Sequence, residues 1–558
     1  VAHAIEDLFI ERLCEFFGML AYHYNMGDDF DKAEEYLVKA GEEALKSSAS
    51  NEAFYYYKEA LIIYRNKYGR DADFAKIAMM EKNIGKALVN KGHYKECQEY
   101  IDRALDFYGE RIPKHPIAIM IKGFADFSIF ITGLYFPFLR RKSTPTDNDK
   151  EIFYLSNYKG QVLAMTEPLK FVILTMSLLK RLVKLDLGML ENATGAGLFA
   201  ASSTIFSWSG ISEKLSRKIL EFVKDKIDMN NPKSVLYYKV ALLNYNCMFG
   251  DRKYNVELDE ELIKRNITNG EFMLLMSYFY WLSELYISNG DFEKAFIIEN
   301  KIPALYNDYN NIFANVGKFH IRTYLLMKTR KLEEGIKEAE HGIQFNSKRK
   351  EFTLWLFYLY SLKSRIEIFN GDLEAASLSL NNAYLIFKVA KTAPSVLSEY
   401  LLGKFNLNLF LLEKAIAHAN KNIIKKQTSK ANYYGRQALN VSDKCSMVKS
   451  ETLKLLGVYY WLIKKPLLAV NCWNKAITTA ELLNDTIELS RVYFEIGKRF
   501  SEKPTTLDHK KLINKSLYLL KNKIGLTPED CLEKAEDMFR KMNLQWDLCQ
   551  VKKIKEII

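Results

Sequence analysis

Small side chains recur along this chain at an interval of seven residues. Seven residues are nearly two turns of an α-helix, so both members of such a pair lie on one face of a helix. Large apolar side chains such as Tyr36 and Trp473 stand between them. The pattern predicts helices that approach a neighbouring helix closely at the small residues. The pairs are Ala33 with Ala40, Ala53 with Ala60, Cys97 with Ala104, Gly335 with Gly342, Ala376 with Ala383, Ala431 with Ala438, and Ala469 with Ala476.

Turns of similar chemistry precede several of these helices. Gly27-Asp28, Gly92-His93, Gly290-Asp291 and Gly371-Asp372 each place a glycine where one helix would end, and we expect that glycine to adopt the left-handed conformation. Helix, turn and helix with this spacing is the pattern of tetratricopeptide (TPR) repeats. We therefore predict an all-α protein, an α-solenoid of divergent TPR-like helix-turn-helix repeats, whose concave face offers a binding groove.

The repeat chemistry divides the chain into four parts. Residues 1–112 hold N-terminal TPR-like repeats, with residues 1–10 as the end of an upstream linker helix, and residues 113–230 form a divergent helical segment with a basic loop. Residues 231–487 hold central TPR-like repeats, and residues 488–558 hold C-terminal repeats and a cap.

Composition excludes several classes of protein. With 48% hydrophobic and 27% charged residues, the chain can bury a core, and disorder is excluded. The net charge of +12 comes from 80 basic and 68 acidic residues spread along the chain, which favours solubility over nucleic-acid binding. The seven cysteines contain no CxxC pair, so we expect no disulfide framework and a cytoplasmic location. Lys122 and Asp126 interrupt the first long apolar stretch, which argues against a membrane span.

A family resemblance lies at the N-terminal end. The helical C-terminal region of soluble-adenylyl-cyclase-like multidomain signalling proteins resembles four segments of this chain: Leu20 to Tyr24, Asp31 to Ala44, Ser50 to Ala53, and Tyr57 to Leu61. In that family a class III cyclase or a protein kinase is followed by an AAA-like, STAND-type ATPase and then by TPR-like repeats. The tail Ala535 to Met542 is similar to the family's last repeat, with Asn543 where a glycine is usual. The resemblance implies a regulatory arm whose chemistry lies upstream of Val1.

Fragments that imitate catalytic motifs are better explained by helix packing. The segment from Phe124 to Phe130 resembles the metal-binding FxDxxGF segment of cyclases around Asp126, but Ile129 replaces the glycine. Gly195-Ala196-Gly197 lacks the lysine of a phosphate-binding loop. The eight histidines show no metal-ligand spacing. We predict no catalytic, cofactor-binding or metal-binding residue in this stretch, and no cofactor.

A basic cluster follows an apolar segment. Arg140, Arg141 and Lys142 come directly after Phe136 to Leu139, and such a cluster could contact anionic lipid or an acidic peptide. We favour the simpler interpretation, a solvated helix end. Nucleic acid is a poorer candidate, because the aromatic residues follow helical core spacing instead of alternating with Lys and Arg on an exposed stripe.

The sequence therefore predicts a non-catalytic helical-repeat scaffold for protein-protein or interdomain contacts, the regulatory arm of a cyclase- or kinase-type signalling ATPase. Two alternatives stay open: a stand-alone TPR adaptor that assembles a multiprotein complex, and part of an adenylate or guanylate cyclase, in cAMP signalling, whose catalytic domain lies upstream. The expected partners are a protein or peptide in the concave groove, or upstream domains of the same polypeptide. Any cyclase or kinase activity would belong to the upstream part.

Overall fold

The computed structural model describes residues 1–47, 49–110, 115–139, 142–190, 195–250, 256–309, 311–349, 352–389, 392–502 and 507–556. These ranges are built of helices and contain no β-strand, only one isolated β-bridge between Ser143 and Leu185. Successive helices pack side by side as hairpins, for example α-helix 449–462 against α-helix 466–483. The predicted fold, an all-α solenoid of helical repeats, is confirmed. The four-part division of the chain stays a prediction.

The helices follow one another with short connections. In the first half they are α1 Ala2–Leu8, α2 Phe17–Met26, α3 Phe30–Lys46, α4 Ser50–Tyr68, α5 Phe74–Asn90, α6 Tyr94–Phe107, α7 Pro116–Tyr135, α8 Asp147–Thr166, α9 Pro168–Leu182, α10 Gly195–Ser202, α11 Thr204–Trp208, α12 Glu213–Val223, α13 Pro232–Phe249 and α14 Glu260–Thr268. In the second half they are α15 Phe272–Asn289, α16 Phe292–Tyr309, α17 Ile312–Lys328, α18 Leu332–Ser347, α19 Thr353–Phe369, α20 Leu373–Val389, α21 Pro394–Ala417, α22 Lys421–Ser442, α23 Lys449–Leu462, α24 Pro466–Leu483, α25 Thr486–Phe500, α26 Leu507–Ile524, α27 Pro528–Lys541 and α28 Gln545–Lys555. Short 3-10 helices lie at Ile10–Phe16, Gly69–Asp71, Pro137–Leu139, Leu187–Met189, Lys224–Lys226 and Ser446–Val448.

The turns between helices use left-handed residues. Gly92, Gly290 and Gly371 have φ of 74°, 84° and 86°, as their positions predicted. The prediction for Gly27 was wrong: its φ is −96°, and the left-handed residue is Asp28, with φ of 58°. Asp tolerates this conformation because its side chain is short and polar.

The solenoid coils tightly enough for distant repeats to meet. The side-chain amide of Asn311 donates to the carbonyl of Asn90 over 3.2 Å. The rings of Tyr94 and Phe352 contact edge to face with centroids 5.8 Å apart. Helix α15 also contacts α25, ten helices further along the solenoid. Side chains that would line the inside of a wider superhelix therefore contact one another.

In the described ranges one helical segment, Ile117–Tyr135, is long and apolar enough to cross a membrane by length and composition alone. Only 22% of it is buried. Its two charged residues, Lys122 and Asp126, lie four positions apart and therefore share one face of α7.

Candidate interaction surfaces

The small residues picked out from the sequence lie inside the helix stack. All of them are buried. A Cβ atom at Gly342 in α18 would lie 2.8 Å from the Cβ of Phe319 in α17 and equally close to Leu359 in α19. At Gly335 it would lie 2.9 Å from Ile366. The thiol of Cys97 donates to the carbonyl of Gly85 over 3.3 Å. These residues lie at contacts between helices.

Of the predicted basic contact residues, Arg140 and Arg141 lie outside the described residues. Lys142 is exposed, and its ammonium nitrogen lies 5.5 Å from the centre of the Phe222 ring.

Asp126 joins two helices. Its carboxylate lies 2.6 Å from the ammonium of Lys180, accepts a hydrogen bond from Ser177 over 2.6 Å and lies 3.3 Å from the ammonium of Lys122. Burial alone would raise the pKa of Asp126, but the hydrogen bonds from Lys180 and Ser177 lower it below its usual value. The group is therefore an ionised contact between α7 and α9. Within the part of the chain that the structure describes, no group of three or more His, Cys, Asp or Glu could hold a metal ion.

Gly195 and Gly197 also serve packing. A Cβ at Gly197 would lie 2.7 Å from the Cα of Ser234, so this glycine lets α10 reach the backbone of α13. A Cβ at Gly195 would lie 2.6 Å from Leu190.

A buried cluster of charges, the central ion cluster, occupies the inner face of the central repeats. It consists of Lys328, Arg365, Glu399, Glu451, Lys454, Glu488, Arg491 and Asp547, which are all buried and come from α17, α19, α21, α23, α25 and α28.

The contacts of the central ion cluster join residues far apart in the chain. The ammonium of Lys328 lies 3.0 Å from Glu488 and 3.3 Å from Glu451, and the ammonium of Lys454 lies 2.6 Å from Glu488. Arg365 contacts Glu399 and lies 2.5 Å from Glu451. Burial would raise the pKa of Glu488, but the two lysines hold it well below its usual range.

The inner end of the cluster also ties the last helix to the stack. Arg491 donates to both carboxylate oxygens of Asp547 over 3.1 Å and to the backbone carbonyl of Lys328 over 2.7 Å. Among the described residues from α17 to α28, the chain's own charged side chains fill the inner face, where an open groove was expected.

Two further buried polar residues, His320 and Glu284, lie beside the central ion cluster. His320 is surrounded by the rings of Tyr280, Trp355 and Tyr358, with centroids 5.1, 5.3 and 4.1 Å away. Burial lowers the pKa of His320 to about 3 and raises the pKa of Glu284 to about 8. At neutral pH both groups are uncharged, so their approach to 3.9 Å is not an ion pair. We did not predict from the sequence that His320 and Glu284 are buried.

The N-terminal end of the solenoid exposes apolar side chains. Met19, Tyr22 and Met26 form a stripe along α2, and Tyr22 and Met26 are 61% and 68% exposed. Leu8 and Ile10 are exposed close by in sequence, at the end of α1. We call these five residues the N-terminal apolar end. The opposite face of α2 packs against α3.

The N-terminal apolar end is held in place by Glu6 of α1. Its carboxylate accepts from the hydroxyl of Tyr24 over 2.5 Å, contacts the hydroxyl of Tyr36, and lies 3.3 Å from the ammonium of Lys32. The hydrogen bonds from Tyr24 and Tyr36 lower the pKa of Glu6 to about 2.

The two ends of the solenoid differ. The last helix, α28, exposes Lys552, Lys553 and Lys555. Soluble repeat arrays cover their ends with such polar faces, because an uncovered apolar repeat surface promotes association. The N-terminal end also exposes charged residues, among them Asp7 and Arg12, but the five large apolar side chains beside them make it the stronger candidate for a contact surface.

The chain was compared with protein families, curated proteins and solved structures. No family model matches the chain, and no curated protein matches it in sequence. A solved structure, the crystal structure of the APC/C hetero-tetramer Cut9-Hcn1, aligns over 90% of this chain and 96% of that chain, with 12% identity and a TM-score of 0.29. The match carries no inference about this chain.

Proposed function

We propose that this chain is a non-catalytic helical-repeat scaffold and acts as the regulatory arm of a cyclase- or kinase-type signalling ATPase. The resemblance of residues 20–61 to that family motivates the assignment. In the family, the ATPase precedes the repeats, so it would meet the arm at the N-terminal end. The seven cysteines are all free thiols, which suits a reducing cytoplasm.

The observation that carries the proposal is the N-terminal apolar end. Met19, Tyr22 and Met26 are spaced by three and four residues, so they form one continuous helix face. A preceding domain that stacks on α2 would bury this face as each later repeat buries the one before it. A change in the conformation of the arm would then reach the ATPase through the packed helices.

The first test reads the coding sequence upstream of Val1 in the natural transcript. We expect a STAND-type ATPase, preceded by a class III cyclase or a protein kinase domain. A start codon close to Val1 would overturn the proposal and favour the stand-alone adaptor.

The second test measures the basal ATPase rate of the natural polypeptide. The double variant Met19→Glu/Tyr22→Glu should alter its basal ATPase rate, because two carboxylates would be buried in the proposed contact. Leu482→Glu/Tyr518→Glu, at sites 74% and 71% exposed in α24 and α26, is the matched control and should leave the rate unchanged. Equal rates for all three proteins would contradict the proposed contact.

A further inference from the structure

Helix α7 exposes an apolar face that no other part of the described chain covers. Ile117, Met120, Ile121 and Phe124 follow helical spacing, and each is more than half exposed, with Phe124 at 75%. The exposed hydroxyl of Ser128 donates back to the carbonyl of Phe124 over 2.9 Å, so it adds little polarity to this face. Soluble proteins leave apolar patches of this kind at binding sites.

The charges of α7 all lie on its other side. Lys122 and Asp126 point toward α9, where they meet Ser177 and Lys180. The outward face from Ile117 to Phe124 therefore carries no charge. A partner that recognises this face must be apolar where it touches.

The apolar surface continues beyond the helix. Phe138 and Leu139, in the 3-10 turn that follows α7, are 79% and 60% exposed. At the other end, α9 runs parallel to α7, since Gly123 lies beside Ile173 and Gly133 beside Val183. This register places the exposed Leu169 next to the start of α7. We call Ile117, Met120, Ile121, Phe124, Phe138 and Leu139 the outer α7 face.

Positive charge borders the outer α7 face at its C-terminal end. Lys142 and Lys226 both lie against the ring of Phe222, at 5.5 and 4.4 Å from its centre. Burial and the nearby Lys142 lower the pKa of Lys226, and Asp225 only partly offsets them. Lys224 is exposed in the same turn. The sequence places two further cations, Arg140 and Arg141, directly before Lys142.

We propose that the outer α7 face binds the surface of anionic phospholipid bilayers. The helix lies in the plane of the interface with its apolar side chains among the acyl chains, while Lys142, Lys224 and Lys226 contact lipid phosphates. An apolar helix face bordered by lysines is the pattern of interfacial membrane binding. The bordering lysines favour a bilayer over an apolar protein surface, because lipid phosphates complement their charge.

The geometry favours lying on the bilayer over spanning it. The ionised Asp126, with Lys122 and Lys180, holds α7 against α9 along its length. A spanning α7 would either break these ion pairs or carry them into the hydrocarbon region, and both are unfavourable.

The test is co-sedimentation of the full chain with vesicles at physiological ionic strength. One set contains phosphatidylcholine alone, and the other contains phosphatidylserine as a quarter of its lipid. We expect binding to the anionic vesicles, with at least about tenfold weaker binding for Phe124→Glu/Phe138→Glu. Lys142→Ala/Lys224→Ala should also weaken binding, and added salt should reduce it.

Leu482→Glu/Tyr518→Glu, which introduces the same two charges at similarly exposed apolar sites in α24 and α26, should bind as the parent does. Far-ultraviolet circular dichroism should show unchanged helix content in every variant. The proposal is overturned if the parent does not bind anionic vesicles, or if Phe124→Glu/Phe138→Glu binds them equally well. It is also overturned if that variant dissociates an oligomer of the parent while vesicle binding persists, because the face would then be a protein contact.

Discussion

A methyl group added at Gly457 should force apart the hairpin of α23 and α24. The Cβ of Gly457→Ala would lie 2.1 Å from Nε1 and 2.4 Å from Cδ1 of Trp473. Trp473 is fully buried, and its indole N–H donates to the carbonyl of Lys454 over 3.2 Å. The ring cannot move aside without losing this bond or separating the helices.

The expected magnitude follows from three contributions. Overpacking of this kind costs about 2 to 3 kcal/mol, and loss of the buried indole hydrogen bond costs about 1 kcal/mol. Alanine in place of a helical glycine returns about 1 kcal/mol. We therefore expect Gly457→Ala to lose about 2 to 3 kcal/mol of local stability.

The matched control is Gly160→Ala in α8. A Cβ there would lie 3.7 Å from the nearest atom, in Phe171, which is ordinary contact. This variant should gain about 0.5 to 1 kcal/mol from helix propensity. Because a long array need not unfold in one step, hydrogen–deuterium exchange of peptides covering each hairpin is the suitable assay. Equal or slower exchange in the Gly457→Ala hairpin would refute the packing argument.

Three further changes have outcomes of known sign. Ala419 is exposed with a left-handed φ of 52°, so Ala419→Gly should raise the melting temperature, whereas Ala417→Gly at the exposed end of α21 should lower it. In the folded chain Glu284 keeps its proton up to its pKa of about 8, whereas in the unfolded chain it loses the proton above its ordinary pKa of 4.5. The free energy of unfolding of the parent therefore falls as pH rises from 4.5 to about 8. Glu284→Gln should therefore gain stability over the parent across that window in urea titrations, and a gap that shrinks with rising pH would contradict this. Glu488→Gln leaves two buried lysines without their full counter-charge and should cost about 3 to 5 kcal/mol of local stability, read from hydrogen–deuterium exchange of the α17, α23 and α25 peptides. Parent-like exchange would mean that the central ion cluster is solvated.

Local spacing was enough to predict the helices and most of their turns. Pairs such as Ala431 and Ala438 mark one face of a helix because two turns span seven residues. The turns without glycine were less predictable. Arg330 and Lys464 adopt a φ of 59° although both carry a side chain, because the helices on each side fix the chain there.

The central ion cluster could not be predicted from spacing, because its contacts join residues of different repeats, in the case of Lys328 with Glu488 160 positions apart. A charged residue on a helix suggests a solvated face. One signal was present beside the cluster: α15 is apolar on nearly every side, which indicates a fully buried helix. Its one charged residue, Glu284, must then be buried as well.

The outer α7 face was missed for a related reason. Lys122 and Asp126 interrupt the apolar stretch when it is read along the sequence. In the helix both charges lie on the side that meets α9, so the other side is uninterrupted.

Photo-crosslinking from the N-terminal apolar end tests the regulatory-arm account most directly. Benzoylphenylalanine at Tyr22 in the natural polypeptide should crosslink, on irradiation, to the ATPase segment that precedes the repeats. The same group at Tyr433 in α22, which is similarly exposed, serves as the control and should not reach that segment. Crosslinks from position 22 only to a separate protein, or to none, would contradict the account.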